Sequence, residues 1–304
     1  MSDPQPIVGP RCGYVALVGA PNAGKSTLLN LLVGTKLSIV TPKVQTTRSR
    51  VLGIALKGAA QLIFVDTPGI FAPKRRLDRA MVAAAWAGAD DADIVVVLVD
   101  AARGFDDDTR TILERLKIAH RPVVLALNKI DLVRRELLLP LAEALGKACE
   151  FERVFMISST AGDGTEDLAN FLAGAVPEAP WLYPEDQLTD LPQRLLAAEI
   201  TREQVYLQLH QELPYAAAVE TEQWEERNDG SVKISQVIHV QRDGQKAIVL
   251  GKGGAQVKSI GAAARAELEK LLARRVHLFL FVRVTENWAD DRERYRAIGL
   301  DYPE

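Results

Sequence analysis

The chain has 304 residues, 48% of them apolar and 25% charged, with a formal net charge of -3. That is the balance of a globular protein long enough for two domains; it excludes a disordered chain and gives no global case for nucleic-acid binding. Residues 1–10 lack the basic and apolar regions of a signal peptide, and the longest apolar run, 94–99, is far too short to span a bilayer. Two cysteines that form no motif, Cys12 and Cys149, suit a reduced cytoplasmic setting.

Along the first half, apolar β-rich runs at 14–18, 62–65, 94–99, 123–127 and 154–157 alternate with helix-like segments at 27–33, 77–87, 107–119, 134–149 and 165–175. Strands that are apolar almost throughout are covered on both faces. This predicts a doubly wound α/β domain over 1–176, with a mainly parallel sheet and its ligand chemistry at the carboxyl ends of the strands. Pro177, Pro180, Pro184 and Pro192 break the pattern and read as a linker over 177–193. Beyond it the order is helix 194–212, strand 215–221, strand 232–241, helix 246–250, a Gly-rich turn, helix 255–273 and strand 276–284. Asn228-Asp229-Gly230 marks a hairpin between the two strands. The second unit, 194–304 with a C-terminal tail, is a small α+β domain.

The octet Gly19-Ala20-Pro21-Asn22-Ala23-Gly24-Lys25-Ser26, followed by Thr27, fits G-x-x-x-x-G-K-[ST] between a strand and a helix. Backbone N–H groups and a positive helix end would surround phosphates there. Lys25 is expected to reach the β/γ oxygens and Ser26 to ligate Mg²⁺. Asp66-Thr67-Pro68-Gly69 follows a strand, which puts Asp66 where it can hold Mg²⁺ and the Gly69 N–H where it can sense a γ-phosphate; taken alone, the same four residues also suit an ordinary turn. Asn128-Lys129-Ile130-Asp131 follows another. The Asp131 carboxylate can accept both N1–H and the 2-amino group of guanine, and adenine would leave it unpaired, so GTP is favoured over ATP. Ser158 and Ser159 follow the fifth strand and are placed to offer a backbone N–H to guanine O6. In Gln45-Thr46-Thr47-Arg48 either threonine can complete the Mg²⁺ shell, with Thr47 preferred. A kinase acting on a small substrate is the rival enzyme reading, and Asn128-Lys129-x-Asp131 argues against it.

In order and spelling these motifs resemble those of translation-factor-related GTPases, the Era subgroup in particular. The resemblance implies GTP hydrolysis, with Lys25, Thr47 and Gly69 as the catalytic set. Many small GTPases carry a water-orienting glutamine after Asp-x-x-Gly; this chain has Ile70, so catalysis must rest on positioning and electrostatics. The resemblance also suggests that Asn22 helps hold a K⁺ ion.

In the second unit, Gly251-Lys252-Gly253-Gly254 lies between two helix-like segments, with Lys246, Lys258 and Arg265 nearby. A G-x-x-G loop so placed clamps about four single-stranded nucleotides in KH domains, and the order α-β-β-α-α-β fits the type II topology. Taken alone the loop is also a plain helix–turn–helix corner. Local charge favours nucleic acid: residues 227–283 carry eleven Lys/Arg against four acids, a net +7 in an acidic protein. Gly244-Gln245-Lys246, Ala263-Ala264-Arg265 and Asn287-Trp288-Ala289-Asp290-Asp291 extend the Era resemblance over nearly the whole chain. It implies a monomeric cytoplasmic protein whose partners are the single-stranded 3′ end of 16S rRNA and the small ribosomal subunit. Peripheral membrane contact is left open, and a passive RNA-binding module with a vestigial nucleotide site is the rival non-enzyme reading. His120, His210, His239 and His277 have no metal-ligand spacing, Trp224 and Trp288 read as packing residues, and Glu220-x-Glu222-x-x-Glu225-Glu226 reads as a solvated strand end.

Overall fold

The computed structural model describes residues 9–43, 46–73, 75–118, 121–210, 213–285, 292, 295 and 300–302. Gln45, Lys74, His120 and the Asn287–Asp291 motif with Trp288 lie outside them. The chain divides into two compact units: one of residues 1–38 and 47–190, the other of 39–46 and 191–304.

The first unit contains β1 (Arg11–Gly19), α1 (Lys25–Val33), β2 (Val51–Lys57), β3 (Ala60–Asp66), α2 (Arg76–Asp90), β4 (Ile94–Asp100), α3 (Asp107–Leu116), β5 (Val123–Asn128), α4 (Leu138–Ala148), β6 (Arg153–Met156) and α5 (Thr165–Ala175). The sheet order is β2-β3-β1-β4-β5-β6, parallel except for β2, which runs antiparallel to β3. Alternate strand residues feed two cores. Val15, Leu17, Phe64, Val96 and Leu98 pack with Leu28 and Leu29 of α1 and Leu168 and Leu172 of α5. Ala16, Val18, Val95, Val97 and Leu125 pack with Trp86 of α2, Leu113 of α3 and Leu145 of α4. Because β3 and β4 flank β1 on opposite sides, the connections leading into them run in opposite directions along the sheet, and the crevice beside β1 is the topological switch point.

Two features depart from the sequence reading. β2 is an extra strand, joined to β3 by a tight turn in which Gly58 has φ +59°. The proline-bearing stretch to residue 190 groups with the first unit instead of standing free. It runs from the start of β1 to the outer hairpin: Cys12 N–H of β1 donates to Pro177 O (3.1 Å), Ile54 N–H of β2 to Leu188 O (2.8 Å) and Thr189 Oγ1 to Leu52 O of β2 (2.6 Å). Gln61, fully buried, accepts from Leu182 N–H (2.9 Å) and Tyr183 N–H (3.0 Å) and donates to Tyr183 O (2.8 Å). The strap satisfies an edge that would otherwise present unpaired backbone groups.

The second unit contains α6 (Gln193–Gln208), β7 (Ala218–Glu226), β8 (Val232–Val240), α7 (Asp243–Leu250), α8 (Ala255–Leu272) and β9 (Val276–Val284). β8 is central, antiparallel to β7 and parallel to β9. Val205 of α6, Ile238 of β8, Val249 of α7 and Ile260 of α8 share one core cluster; Ile200, Ile234, Leu268 and Val276 share another. The acidic run forms the body of β7, not a strand end. Glu225 pairs with Lys233 of β8 (3.1 Å), Glu222 with Arg283 of β9 (2.9 Å) and Glu226 with Arg274 in the turn before β9 (2.5 Å), so these cations neutralise it. Trp224 packs against the second cluster, and His239 is buried with Nδ1 2.9 Å from Thr285 Oγ1. No described helix is long and apolar enough to cross a membrane.

Candidate functional sites

The carboxyl end of β1 turns into α1 through residues 20–24. Asn22 (φ +64°) and Gly24 (φ +101°) are left-handed, so the backbone folds back over the start of α1. A Cβ at Gly24 would lie 2.1 Å from Asn128 Nδ2, so glycine is required there on two counts. Lys25 is buried, and its Nζ donates to Gly19 O and Ala20 O (both 3.0 Å). Burial pushes its ammonium down to about 8, against the opposing pull of Asp66.

At the end of β3, Asp66 is fully buried and gathers three hydroxyls on Oδ2: Ser26 (2.7 Å), Ser38 (2.8 Å) and Thr47 (3.2 Å). Ser26 and Thr47 are themselves 2.9 Å apart. The other carboxylate oxygen, Oδ1, is buried without a hydrogen-bond partner. Burial raises the Asp66 pKa despite Lys25 and the hydroxyls. A desolvated carboxylate among hydroxyl oxygens is the hard donor set that Mg²⁺ takes. Thr46 is turned elsewhere, its hydroxyl 3.1 Å from Thr41 Oγ1 and donating to Lys43 O (2.9 Å).

Thr67 donates to Leu17 O (2.8 Å), and Ile70 N–H to Gly19 O (3.1 Å). These bonds seat Pro68 and Gly69 against the β1 loop. A Cβ on Gly69 would sit 2.9 Å from Pro21 Cα, so only glycine permits this approach. The Ile70 side chain is buried in the core with Val18 and Ala20, so it takes no part in the crevice.

The third strand end closes the site. Asn128 Nδ2 donates to Ala23 O (2.8 Å), and its Oδ1 accepts from Ser159 N–H and Ser159 Oγ (both 3.0 Å). One buried carboxamide thus joins three loops. Lys129, left-handed at φ +64°, pairs with Asp100 (2.6 Å). Asp131 is exposed in the single turn that follows. Ser158 is fully buried, and its Oγ accepts from Ala161 N–H (3.1 Å).

Ser38, Asn30, Asp100 and Arg103 were not legible from sequence. Asn30 Oδ1 accepts from the N–H groups of Leu37 (2.8 Å) and Ser38 (2.9 Å), which aims the Ser38 hydroxyl at Asp66. Arg103 donates to Pro21 O (3.3 Å).

In the second unit, Gly251 (φ +69°), Gly253 (φ +61°) and Gly254 (φ +81°) form the turn between α7 and α8. A Cβ at Gly251 would meet Gln256 Cβ at 2.7 Å, whereas Gly253 faces open space. Gly251 therefore closes the corner, and Gly253 leaves its backbone accessible. Lys252, Lys258 and Arg265 are exposed and Lys246 half-buried; Lys258 and Arg265, about two turns apart, share a face of α8.

Comparison with known proteins follows the same division. The family described as 50S ribosome-binding GTPase matches residues 14–129, and the KH domain family matches 212–289. GTPase Era of Rhizobium meliloti is 62% identical over 96% of this chain and 94% of its own length. The chain belongs to the Era GTPase family. Era of Brucella suis is 60% identical over the same shares. Among solved structures, a variant of Aquifex aeolicus Era bound to GDP and AlF₄⁻ matches with a TM-score of 0.91, 40% identity, and coverage of 95% and 99% of the two chains. Era in complex with MgGDPNP and nucleotides 1506–1542 of 16S ribosomal RNA matches with the same TM-score and identity. For an Era-family chain, the α/β unit is the P-loop GTPase domain and the α+β unit the KH domain.

Proposed function

We propose that this protein is a GTP-hydrolysing switch that binds the single-stranded 3′ end of 16S rRNA through its KH domain and acts in assembly of the small ribosomal subunit. The observation that carries the nucleotide half is the convergence of Ser26, Ser38 and Thr47 on a buried Asp66 with one unpaired oxygen. Asp66, Ser26 and Thr47 would hold Mg²⁺, which neutralises phosphate charge when bound. Lys25, seated under the β1 loop, neutralises β/γ oxygens. Gly19 to Thr27 wrap the phosphates with backbone N–H groups, and Thr67, Pro68 and Gly69 present the γ-phosphate-facing amide. Asp131 reads the guanine edge, while Asn128 and Lys129 hold its loop and Ser158 and Ser159 line the far side.

With Ile70 in the core, no side chain at that position deprotonates water, so slow intrinsic hydrolysis is expected. The exposed Asn22 amide is an oxygen donor of the type K⁺ takes, and K⁺ belongs to the reading. Replacing KCl by NaCl at equal ionic strength is expected to slow turnover; equal rates would remove K⁺ from it. The RNA half rests on the accessible Gly253 backbone, on Lys246, Gly251, Lys252, Gly254, Lys258 and Arg265, and on the Era relative bound to 16S rRNA. We place the protein in the cytoplasm as a monomer, and flotation with anionic vesicles tests peripheral membrane contact. The direct test of the whole is RNA affinity in the GDPNP and GDP forms: a difference is expected, and equality would count against a switch.

A further inference from the structure

Residues 20–23 form the crest of the loop between β1 and α1, and the orientation of one peptide decides their turn type. Ala23 N–H donates to Ala20 O (3.2 Å), with Pro21 second in the turn and Asn22 third, at φ +64°. The pyrrolidine ring fixes the φ of Pro21 at about −65°, which excludes the mirror-image turns. A positive φ at the next position then makes this a type II turn. Type I uses the same four residues with the central peptide, Pro21 C=O to Asn22 N–H, turned over. Glycine is the residue that favours type II, and asparagine accepts the left-handed region less readily. The loop's own sequence therefore does not settle the turn type.

What holds the central peptide is Arg103. Its Nη1 donates to Pro21 O (3.3 Å), while Nη2 pairs with Asp106 Oδ2 (2.7 Å). The other Asp106 oxygen caps α3 by accepting Thr109 N–H (2.9 Å). Behind the arginine, the turn after β4 closes on Asp100. Ala102 N–H donates to Asp100 Oδ1 (2.9 Å), and the N–H groups of Arg103 and Gly104 both donate to Asp100 O (3.0 Å). Asp100 also takes Lys129 (2.6 Å). The guanidinium is thus fixed at both ends although the side chain is 45% exposed. The carbonyls of Gly19, Ala20 and Ala23 are held from within the sequence motifs, the first two by Lys25 and the third by Asn128. The central peptide is held from outside them.

We infer that Arg103 is a positioning residue that locks this turn as type II and so fixes the direction of the Asn22 N–H. In a trans peptide the carbonyl and the amide point in opposite directions, and no cis peptide is present among the described residues. With Pro21 O drawn to Arg103, the Asn22 N–H faces away from it, as one more fixed dipole of the phosphate cradle. Arg103 acts through the peptide and not on the phosphate. The inference rests on the nucleotide-site reading above and adds to it a residue from the turn between β4 and α3.

The test measures the affinity of the full-length protein for GDP and for GDPNP–Mg²⁺ by fluorescence titration. Arg103→Met keeps the stem and removes the donor. Both nucleotides should weaken by about tenfold or more, the worth of one charge-assisted hydrogen bond. Asn22→Gly supplies the residue that type II prefers, so in that background Arg103→Met should change affinity by less than about twofold. An Arg103 effect of equal size in both backgrounds would mark a plain attraction between guanidinium and phosphate, and would overturn the turn-locking role. Native-like affinity in Arg103→Met would overturn it as well, leaving the nucleotide site in place. If the native protein binds neither nucleotide, the site reading fails and this inference with it. Should Arg103→Met fail to fold, the Asn22 amide of native protein decides: GDP should shift its ¹⁵N–¹H resonance and slow its exchange. An amide unmoved by GDP would overturn the proposal.

Discussion

Truncating Asn128 to alanine removes the side chain that ties together the β1 loop and the Ser158–Ser159 turn. Three hydrogen bonds are lost, to Ala23 O, Ser159 N–H and Ser159 Oγ, at a site only 1% exposed. At about 1 kcal/mol each, with the Ala23 carbonyl and Ser159 amide left inside the protein, the loss is about 3 kcal/mol. For a unit of this size that lowers the melting temperature by about 6–12 °C. Because the carboxamide braces the loops and is not aimed at the γ-phosphate, GDP and GTP should weaken together, by about 10–100-fold. Gly24→Ala, whose Cβ would land 2.1 Å from Asn128 Nδ2, should reproduce the loss. The double variant should then cost less than the sum, since Asn128→Ala removes the atom that the Gly24→Ala methyl would strike and leaves only the strain at φ +101°. Differential scanning fluorimetry and titration with fluorescent GDP and GDPNP read all of this. A loss confined to GTP, or melting within about 1 °C of native, would refute the bracing role.

Asp66→Asn removes a desolvated charge that burial already disfavours, so the nucleotide-free protein should melt no lower than native. Mg²⁺-dependent GDPNP affinity should nonetheless fall by about tenfold or more, with GDP less affected; calorimetry with and without Mg²⁺ checks the split. Lys25 must be charged to serve phosphate, and its pKa is held down to about 8. Nucleotide affinity is therefore full below that pH and should drop as pH rises through it, approaching about tenfold per unit; proton uptake measured in two buffers near pH 8 checks the sign. Replacing Lys252 and Gly253 by Asp puts two carboxylates on the turn, where Gly253 has open space. RNA binding should be lost with nucleotide affinity intact, as filter binding and fluorimetry would show.

The parallel strands were legible because burial on both faces makes them apolar without alternation, as in Val95 to Val99. β2 was not, because Gly53 interrupts its short run. That glycine is there because a Cβ would come within 2.6 Å of Leu29 Cδ1, a requirement set by packing and absent from local pattern. The strand-end motifs declared themselves since glycine, lysine and aspartate are needed at fixed spacing around phosphate. Ser38 did not: a lone serine carries no signal until Asn30 bends its backbone toward Asp66. The proline stretch read as a free linker because prolines forbid helix; that its backbone would close the edge of β2 depends on Gln61, a residue 116 or more positions away from most of it. Arg202 and Glu203 of α6 are buried despite their charge, which helical periodicity alone does not announce.

The central claim is one nucleotide switch sensing RNA. It is tested most directly by GTP hydrolysis in K⁺ buffer, with and without single-stranded RNA from the small-subunit 3′ end. The account expects stimulation that disappears in Lys25→Ala and in the Lys252/Gly253 aspartate variant. Turnover indifferent to that RNA in the native protein would contradict it.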